Sequence, residues 1–175
     1  HQSTGTVTIS SRKLTKLSDA AKKLIGNRPV FDITVSYQKN GKTEVVSKFG
    51  KGIVTLGIAY EATDKENKDN LFGVYVDKKG KSELLINSSY DYTGRLIFSR
   101  NSLSTYGVGY KAPSPNFTDT AKHWAKEHID YIVSRSLITK ISERTFAPNA
   151  DITRIDFLMA LGRLSDADVS SYKTS

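Results

Sequence analysis

The residues best suited to chemistry in this chain are a guanidinium and a carboxylate at the start of a predicted helix. The tetrad Thr153-Arg154-Ile155-Asp156 opens a segment of apolar periodicity. Thr153 is a good N-cap and Asp156 falls at the third helical position, as in a short-armed capping box. We therefore expect capping to be the main role of both residues. Because helix N-termini favour anions and arginine pairs with carboxylates in a fork, Arg154 predicts a site for an acidic ligand.

Asp119 and Trp124 are two further candidates for ligand contact in the same region. Asp119 precedes the first helix, where it can cap the first turn or contact a ligand. Trp124 flanks the apolar stripe of that helix, so it either packs against apolar groups or offers its ring to a ligand. Of these alternatives, the structural role is the simpler interpretation for each residue.

Two amphipathic helices must position these candidates. A period of about 3.6 places one apolar stripe on each predicted helix. The stripes consist of Ala125, Ile129, Ile132 and Val133 on the first helix, and of Phe157, Leu158, Leu161 and Leu164 on the second. The prolines of 113–116 separate this helical region from an upstream half with a different periodicity, which predicts a domain boundary.

The upstream half alternates polar and apolar residues in many short runs, such as Val30–Tyr37, with a strong hairpin turn at Asn40-Gly41. One short helical patch ends at Gly26, and we expect it to close an end of the module or pack on a face. The fold class predicted is α+β in two modules, with a β-sandwich-like N-terminal module that includes one short helix. Its boundaries are 1–112, a linker at 113–116, a two-helix repeat at 117–165 and a connector at 166–175.

The helical region resembles a known family. Its motifs F-x-D, H-W-A, F-x-P, I-T-R and G-R-L follow one another over Phe117–Leu164, as they do in an S-layer homology (SLH) domain. The family's tetrad is Thr-Arg-Ala-Glu, where this chain has Thr-Arg-Ile-Asp. The upstream half is similar to a β-rich module that often precedes such domains in bacterial surface proteins, and the tail resembles a connector into a second SLH repeat.

This resemblance implies a noncatalytic anchor. Domains of the family fasten surface proteins to anionic secondary cell wall polymers that carry pyruvylated sugars, with the arginine of the tetrad in grooves between neighbouring repeats. On that basis we expect an extracellular protein at the cell wall of a Gram-positive-type bacterium, whose partners are the wall polysaccharide and other SLH repeats. We also expect the chain by itself to form a homotrimer through its helical end.

The chain departs from the family after the first helix. The usual pattern there is Gly-Ile-x-x-Gly, whereas this chain has Ser136-Leu-Ile-Thr-Lys140 and therefore lacks both glycines. Glycines in such loops permit a positive φ or a close backbone approach. A degenerate repeat with a mainly structural part is the alternative that this difference favours.

The amino-acid composition of the chain bears on several other classes of function. The chain has no cysteine, which excludes a disulfide scaffold and a thiolate site. Its net charge of +8 favours a polyanionic partner, although a basic surface that only aids solubility is the simpler interpretation of charge alone. The three histidines, His1, His123 and His128, do not occur in a catalytic or metal-binding motif, so we expect no enzyme, cofactor or metal site. No nucleic-acid motif or membrane-spanning segment is present. An adhesive or ligand-binding β-sandwich, for which the helical repeat is only a tether, is the second interpretation.

Overall fold

The computed structural model describes residues 6–111, 117–138 and 142–165, so the predicted linker 113–116 and connector 166–175 lie outside the described residues. These residues form nine strands, three helices and a single 3-10 turn at Lys68–Asn70. The strands are β1 Thr6–Lys13, β2 Val30–Lys39, β3 Lys42–Val46, β4 Val54–Ala59, β5 Leu71–Val76, β6 Ser82–Leu85, β7 Ser89–Tyr90, β8 Arg95–Arg100 and β9 Thr105–Tyr110. The helices are α1 Asp19–Ile25, α2 Lys126–Ser134 and α3 Arg154–Leu164.

The strands form two antiparallel sheets. The larger has the order β1-β2-β9-β5-β6, with β3 paired to the second half of β2, and the smaller has the order β4-β8-β7. Asn40 and Gly41 have φ values of 52° and 75° at the turn between β2 and β3. Positive φ at both central residues is the geometry that an Asn-Gly hairpin favours, so the predicted turn is confirmed.

The main apolar core lies between the two sheets. The larger sheet contributes buried side chains from β5, β6 and β9, and the smaller contributes them from β4 and β8. These residues are Leu71, Leu85, Tyr106 and Val108 from the larger sheet, and Ile58, Leu96 and Phe98 from the smaller. Alternation along each strand sends one set of side chains into this layer, which is why the period-two runs of the sequence form these strands.

Helix α1 covers the opposite face of the larger sheet, where Ala21 and Ile25 are fully buried. Two glycines of β9 allow the helix to approach. A Cβ on Gly109 would lie 3.2 Å from the Leu24 carbonyl oxygen, and one on Gly107 would lie 3.2 Å from Ile25 Cδ1. The short helix therefore packs on a face of the sheet, one of the two placements that its sequence predicted.

The β-rich N-terminal region is confirmed, but the sandwich is present only in part. The smaller sheet has three strands and does not cover the end of the larger sheet formed by β1, β3 and the second half of β2. Every residue of β1 is exposed, and Val7 and Ile9 are 65% and 73% exposed. The apolar side chains of β1 therefore do not enter the core.

The helical region contains both predicted helices, but its second stripe faces outward. On α2 the stripe residue Ile129 is buried. On α3 Met159 is buried instead, whereas the four predicted stripe residues are 46–64% exposed. These four are Phe157, Leu158, Leu161 and Leu164. Among the described residues, no helix is long and apolar enough to cross a membrane.

Candidate functional site

Helix α3 begins as its first residues predict. Thr153 is the N-cap with an extended backbone, and its Oγ1 accepts a hydrogen bond from the Asp156 N–H at 3.1 Å. The Thr153 hydroxyl in turn donates to Asp156 Oδ2 at 2.5 Å. In a full capping box, the side chain at this position accepts from the backbone N–H of the N-cap residue. The shorter aspartate side chain reaches the hydroxyl of the N-cap residue instead. The capping role predicted for Thr153 is confirmed, whereas the Asp156 carboxylate supports the cap through the Thr153 hydroxyl and accepts no backbone N–H among the described residues. Contact of either residue with a ligand stays a prediction.

Arg154 is the first residue of α3 and its side chain is exposed. Within the described residues it has no ion-pair or hydrogen-bond partner. The positive end of the helix dipole lies beside its guanidinium, so an anion bound here would meet both. This arrangement can pair with a carboxylate without first breaking an internal contact.

Asp119 does not cap a helix, so that prediction is wrong. Helix α2 begins at Lys126 after Ala125, which makes no side-chain cap bond. The Asp119 carboxylate instead accepts from the backbone N–H groups of Phe146, at 3.1 Å, and Ala147, at 2.7 Å. The Ala147 hydrogen bond is the main reason that the pKa of Asp119 lies below its usual value, and Phe146 adds to it against the effect of burial. Asp119 therefore fixes the path of the chain toward α3.

Trp124 is 85% exposed, so it does not pack in the core of the described residues, and its packing against a neighbouring repeat stays a prediction. Its ring lies 5.6 Å from the ring of His123 between centroids, with an angle of 32° between the planes. His123 is itself held by contacts at both ring nitrogens, with Asn149 Oδ1 at 3.3 Å and the Ala125 N–H at 3.2 Å. The Trp124 indole is thus exposed to solvent and lies beside a histidine ring that is itself held in place. An exposed indole of this kind is suited to stacking on a sugar ring.

The predicted site residues form two groups rather than one cluster. Asp119 joins the F-x-D motif to the F-x-P motif, and the rings of Phe117 and Phe146 add a contact with centroids 5.8 Å apart. Thr153 and Asp156 form the second group at the start of α3. No hydrogen bond, ion pair or ring contact within the described residues joins Arg154 to either Asp119 or Trp124.

Sequence reasoning missed the residue that connects the helical region to the β module. Arg135 follows the last residue of α2 and is only 1% exposed. Its guanidinium donates to three backbone carbonyls of the β module, those of Asp69 at 2.7 Å, Leu71 at 3.2 Å and Ser88 at 3.4 Å. These carbonyls belong to the 3-10 turn, to the start of β5 and to the residue before β7. The Arg135 side chain therefore links three elements of the β module to the end of α2.

Two aromatic rings also flank the Arg135 guanidinium. Its central carbon lies 4.2 Å from the ring centroid of Phe72 and 3.8 Å from that of Tyr131. No carboxylate within the described residues forms an ion pair with it, and burial lowers the pKa of Arg135. A planar cation suits this position because it stacks on rings and donates in its own plane, which a lysine cannot do.

The glycine that the family has after the first helix is replaced by Ser136, yet the backbone keeps the conformation that a glycine would adopt. Ser136 has a φ of 54°. Its N–H donates to the Val133 carbonyl and the Leu137 N–H to the Ile132 carbonyl, both at 2.9 Å. This pair of bonds is a Schellman motif with Ser136 at C′. The second altered position, Lys140, lies outside the described residues.

The S-layer homology domain family model matches residues 116–158. The segment is an S-layer homology domain. Domains of this family are generally noncatalytic modules that anchor proteins to cell wall polymers, so the match also implies association with the cell surface or S-layer. No curated protein and no solved structure matches the chain significantly.

Proposed function

We propose that this chain anchors a surface protein noncovalently by binding an anionic, pyruvylated secondary cell wall polymer at the start of α3. The observation that supports this most is the exposed Arg154 guanidinium, which has no partner within the described residues and lies at a helix N-terminus. The ketal-linked pyruvate of such a polymer carries a carboxylate, which a guanidinium binds through two parallel hydrogen bonds. We propose sugar contacts for Thr153 and Asp156 at the same helix start, and for Asp119 and Trp124, which lie apart from it.

Binding to purified cell wall with its polymer intact tests this proposal. We expect Arg154→Ala to weaken binding by about tenfold or more, because a hydrogen-bonded charge pair is lost. Arg144→Ala is the matched control, since Arg144 is also an exposed arginine of the SLH domain and its backbone carbonyl, not its side chain, holds Thr118. Chemical removal of pyruvate should abolish the difference between wild type and Arg154→Ala. Equal binding by both proteins to intact wall would place the site in other repeats or in the β module.

We also propose that the outward apolar face of α3 packs against other SLH repeats, and that in the isolated chain it forms a homotrimer. Phe157, Leu158 and Leu161 are 53%, 64% and 46% exposed on this face. An apolar face of this extent is unfavourable in water and is typical of an interface. Light scattering after size exclusion should give a trimer for the wild type and a monomer for Leu158→Glu/Leu161→Glu. Ile9→Glu, which changes an exposed apolar side chain of the β module, should leave the trimer intact.

The second candidate function is an adhesive or ligand-binding β module for which the SLH domain is a tether. One observation favours it. A cleft of about 430 Å³ opens beside the smaller sheet, with an apolar and aromatic lining. Its lining residues are Ala59, Tyr60, Glu61, Tyr90, Thr93 and Gly94. Aromatic side chains beside a polar rim are suited to a sugar or a peptide, and loss of ligand binding in Tyr90→Ala with unchanged wall binding would support this candidate.

A further inference from the structure

A strongly basic surface lies where the start of α1 meets the turn between β5 and β6. The Ser18 hydroxyl donates to the Gly80 carbonyl at 2.5 Å. Gly80 has a φ of 81°, and a Cβ at this position would lie 2.8 Å from Ser18 Cβ, so the turn sits directly against the helix start. This contact brings together lysines from two separate segments. They are Lys16, Lys22, Lys23, Lys78, Lys79 and Lys81, all of them exposed, and we name this surface the α1–turn patch.

The acidic residues of the α1–turn patch leave half of this charge uncompensated. Asp77 Oδ1 accepts the backbone N–H groups of Lys79 and Lys81, both at 2.8 Å, so it is used by the turn itself. Asp19 pairs with Lys22 at 3.4 Å on the surface. Exposed Glu83 lies two residues beyond Lys81, so six lysines against three carboxylates make a local net charge of +3 in a chain whose total is +8. A large share of the net charge of the protein is therefore concentrated on this surface.

The geometry keeps these charges within reach of one another. Lys22 and Lys23 follow Ser18 by about one helical turn, which is roughly 6–8 Å along the axis. Three lysines lie within two residues of Gly80 in the turn. Because the Debye length is about 8 Å at physiological ionic strength, the fields of neighbouring lysines add rather than being screened separately.

We infer that the α1–turn patch is a second binding surface for an anionic glycan polymer with regularly spaced carboxylate or phosphate groups. That the ligand is a wall polymer rests on the wall attachment proposed above. The existence of the basic surface is independent of that proposal. Among the described residues, none of the large exposed apolar side chains belongs to α1 or to this turn. Membrane insertion needs such apolar anchors, and single-stranded nucleic acid needs aromatic stacking platforms. An anionic polymer that is bound through charge alone fits this surface better than a membrane or a single-stranded nucleic acid does.

The test compares two triple variants of the full chain. Lys78→Glu/Lys79→Glu/Lys81→Glu changes the α1–turn patch, and Lys42→Glu/Lys48→Glu/Lys51→Glu changes three exposed lysines in and after β3, at the other end of the larger sheet. Both variants lower the net charge equally, so a general loss of attraction affects both. The substituted side chains are exposed, and the hydrogen bonds of Asp77 go to backbone, so circular dichroism and the unfolding temperature should match the wild type.

Binding is measured on purified walls and on two soluble probes, a carboxylated polysaccharide and a poly(glycerol phosphate). At low salt the patch variant should bind about tenfold more weakly than the control variant, and this difference should vanish at high salt. The soluble probes distinguish carboxylate from phosphate recognition. Equal weakening in both triple variants, no weakening in the patch variant, or preferential binding to anionic lipid vesicles would each overturn the inference.

Arg154→Ala, measured beside the two triple variants, separates this inference from the anchoring proposal. If Arg154→Ala binds walls normally and the patch variant does not, the second surface stands while the SLH site fails. If only Arg154→Ala loses binding, the SLH site stands and the α1–turn patch is not a polymer site.

Discussion

Two arginines of the same SLH domain have opposite environments. Arg135 is almost completely buried, with its charge satisfied by carbonyls and rings of the β module and of α2, whereas Arg154 is exposed and has no partner within the described residues. A buried cation without a carboxylate is costly unless it is hydrogen-bonded. Arg135 Nε has no hydrogen-bond partner among the described residues, so the charge depends on the carbonyls of the β module being in place. Arg154 does not depend on the β module. The end of α2 is thus held to the β module, whereas the start of α3 is free to bind a ligand.

The difference bears on how a wall contact would act on the rest of the protein. The end of α2 is held to the β module by Arg135 and by Lys111, whose Nζ lies 3.5 Å from the Ser134 carbonyl. A positive charge is favourable there because the C-terminal end of a helix carries the negative end of its dipole. Any force at the start of α3 would therefore reach the β module through packed groups as well as through the peptide segment between the modules.

Removing the buried arginine should have the largest effect on stability. We expect Arg135→Ala to lower the free energy of unfolding by about 4 kcal/mol, because three carbonyls lose a donor and a cavity opens between two rings. Urea unfolding followed by circular dichroism gives this value. The wild type should unfold in one transition, whereas in the variant the transitions of the β module and the SLH domain should separate.

Arg154→Ala is the counterpart that decides the comparison. An exposed side chain without partners should change the free energy of unfolding by no more than about 0.5 kcal/mol. Similar losses in both variants would show that the two arginines do not differ as their environments indicate.

A third arginine sharpens the comparison, because its charge is met by a carboxylate. Arg28 Nε donates to Glu66 Oε1 at 2.7 Å. Burial alone would raise the pKa of Glu66, but hydrogen bonds from the Thr63 N–H, the Tyr60 hydroxyl and Arg28 outweigh it and lower the pKa from 4.5 to about 2. A carboxylate with a lowered folded-state pKa stabilises the fold above its unfolded pKa, and this contribution is lost as the pH falls from about 4.5 to 2.

The lowering of the Glu66 pKa corresponds to a contribution of about 3 kcal/mol to the free energy of unfolding at neutral pH. Glu66→Gln should therefore be less stable than the wild type at pH 7, and the two proteins should converge as the pH approaches 2. Unfolding in urea at several pH values measures the difference. A gap that stays constant across this range would show that the ionisation of Glu66 does not contribute.

Much of the β module was predictable because its rules are local. The alternation in Val30–Tyr37 and the turn at Asn40-Gly41 each follow from the backbone preferences of a few adjacent residues. The cap of α3 by Thr153 is local in the same sense. These features appear in the structure with small shifts of their ends.

The features that sequence did not predict depend on contacts between distant segments. Nothing around Arg135 in the sequence indicates burial, since its partners are carbonyls 47 to 66 residues away. The period of α3 showed an apolar stripe, but a period cannot tell whether a stripe meets this domain's own core or a face supplied by another repeat. Asp119 was expected at a helix start because sequence could not show that α2 begins seven residues later, at Lys126.

A small stabilising effect is expected at the residue next to Arg135. Ser136 holds a φ of 54° at the C′ position of α2, where a residue with a Cβ is disfavoured by about 1 kcal/mol relative to glycine. We expect Ser136→Gly to raise the free energy of unfolding by about 0.5–1 kcal/mol, after the larger entropy of glycine in the unfolded chain is included. Wall binding should not change, because the backbone already has the conformation that the family's glycine provides. Destabilisation by Ser136→Gly would mean that the serine side chain stabilises the junction, and weaker wall binding would mean that this loop contributes to the site.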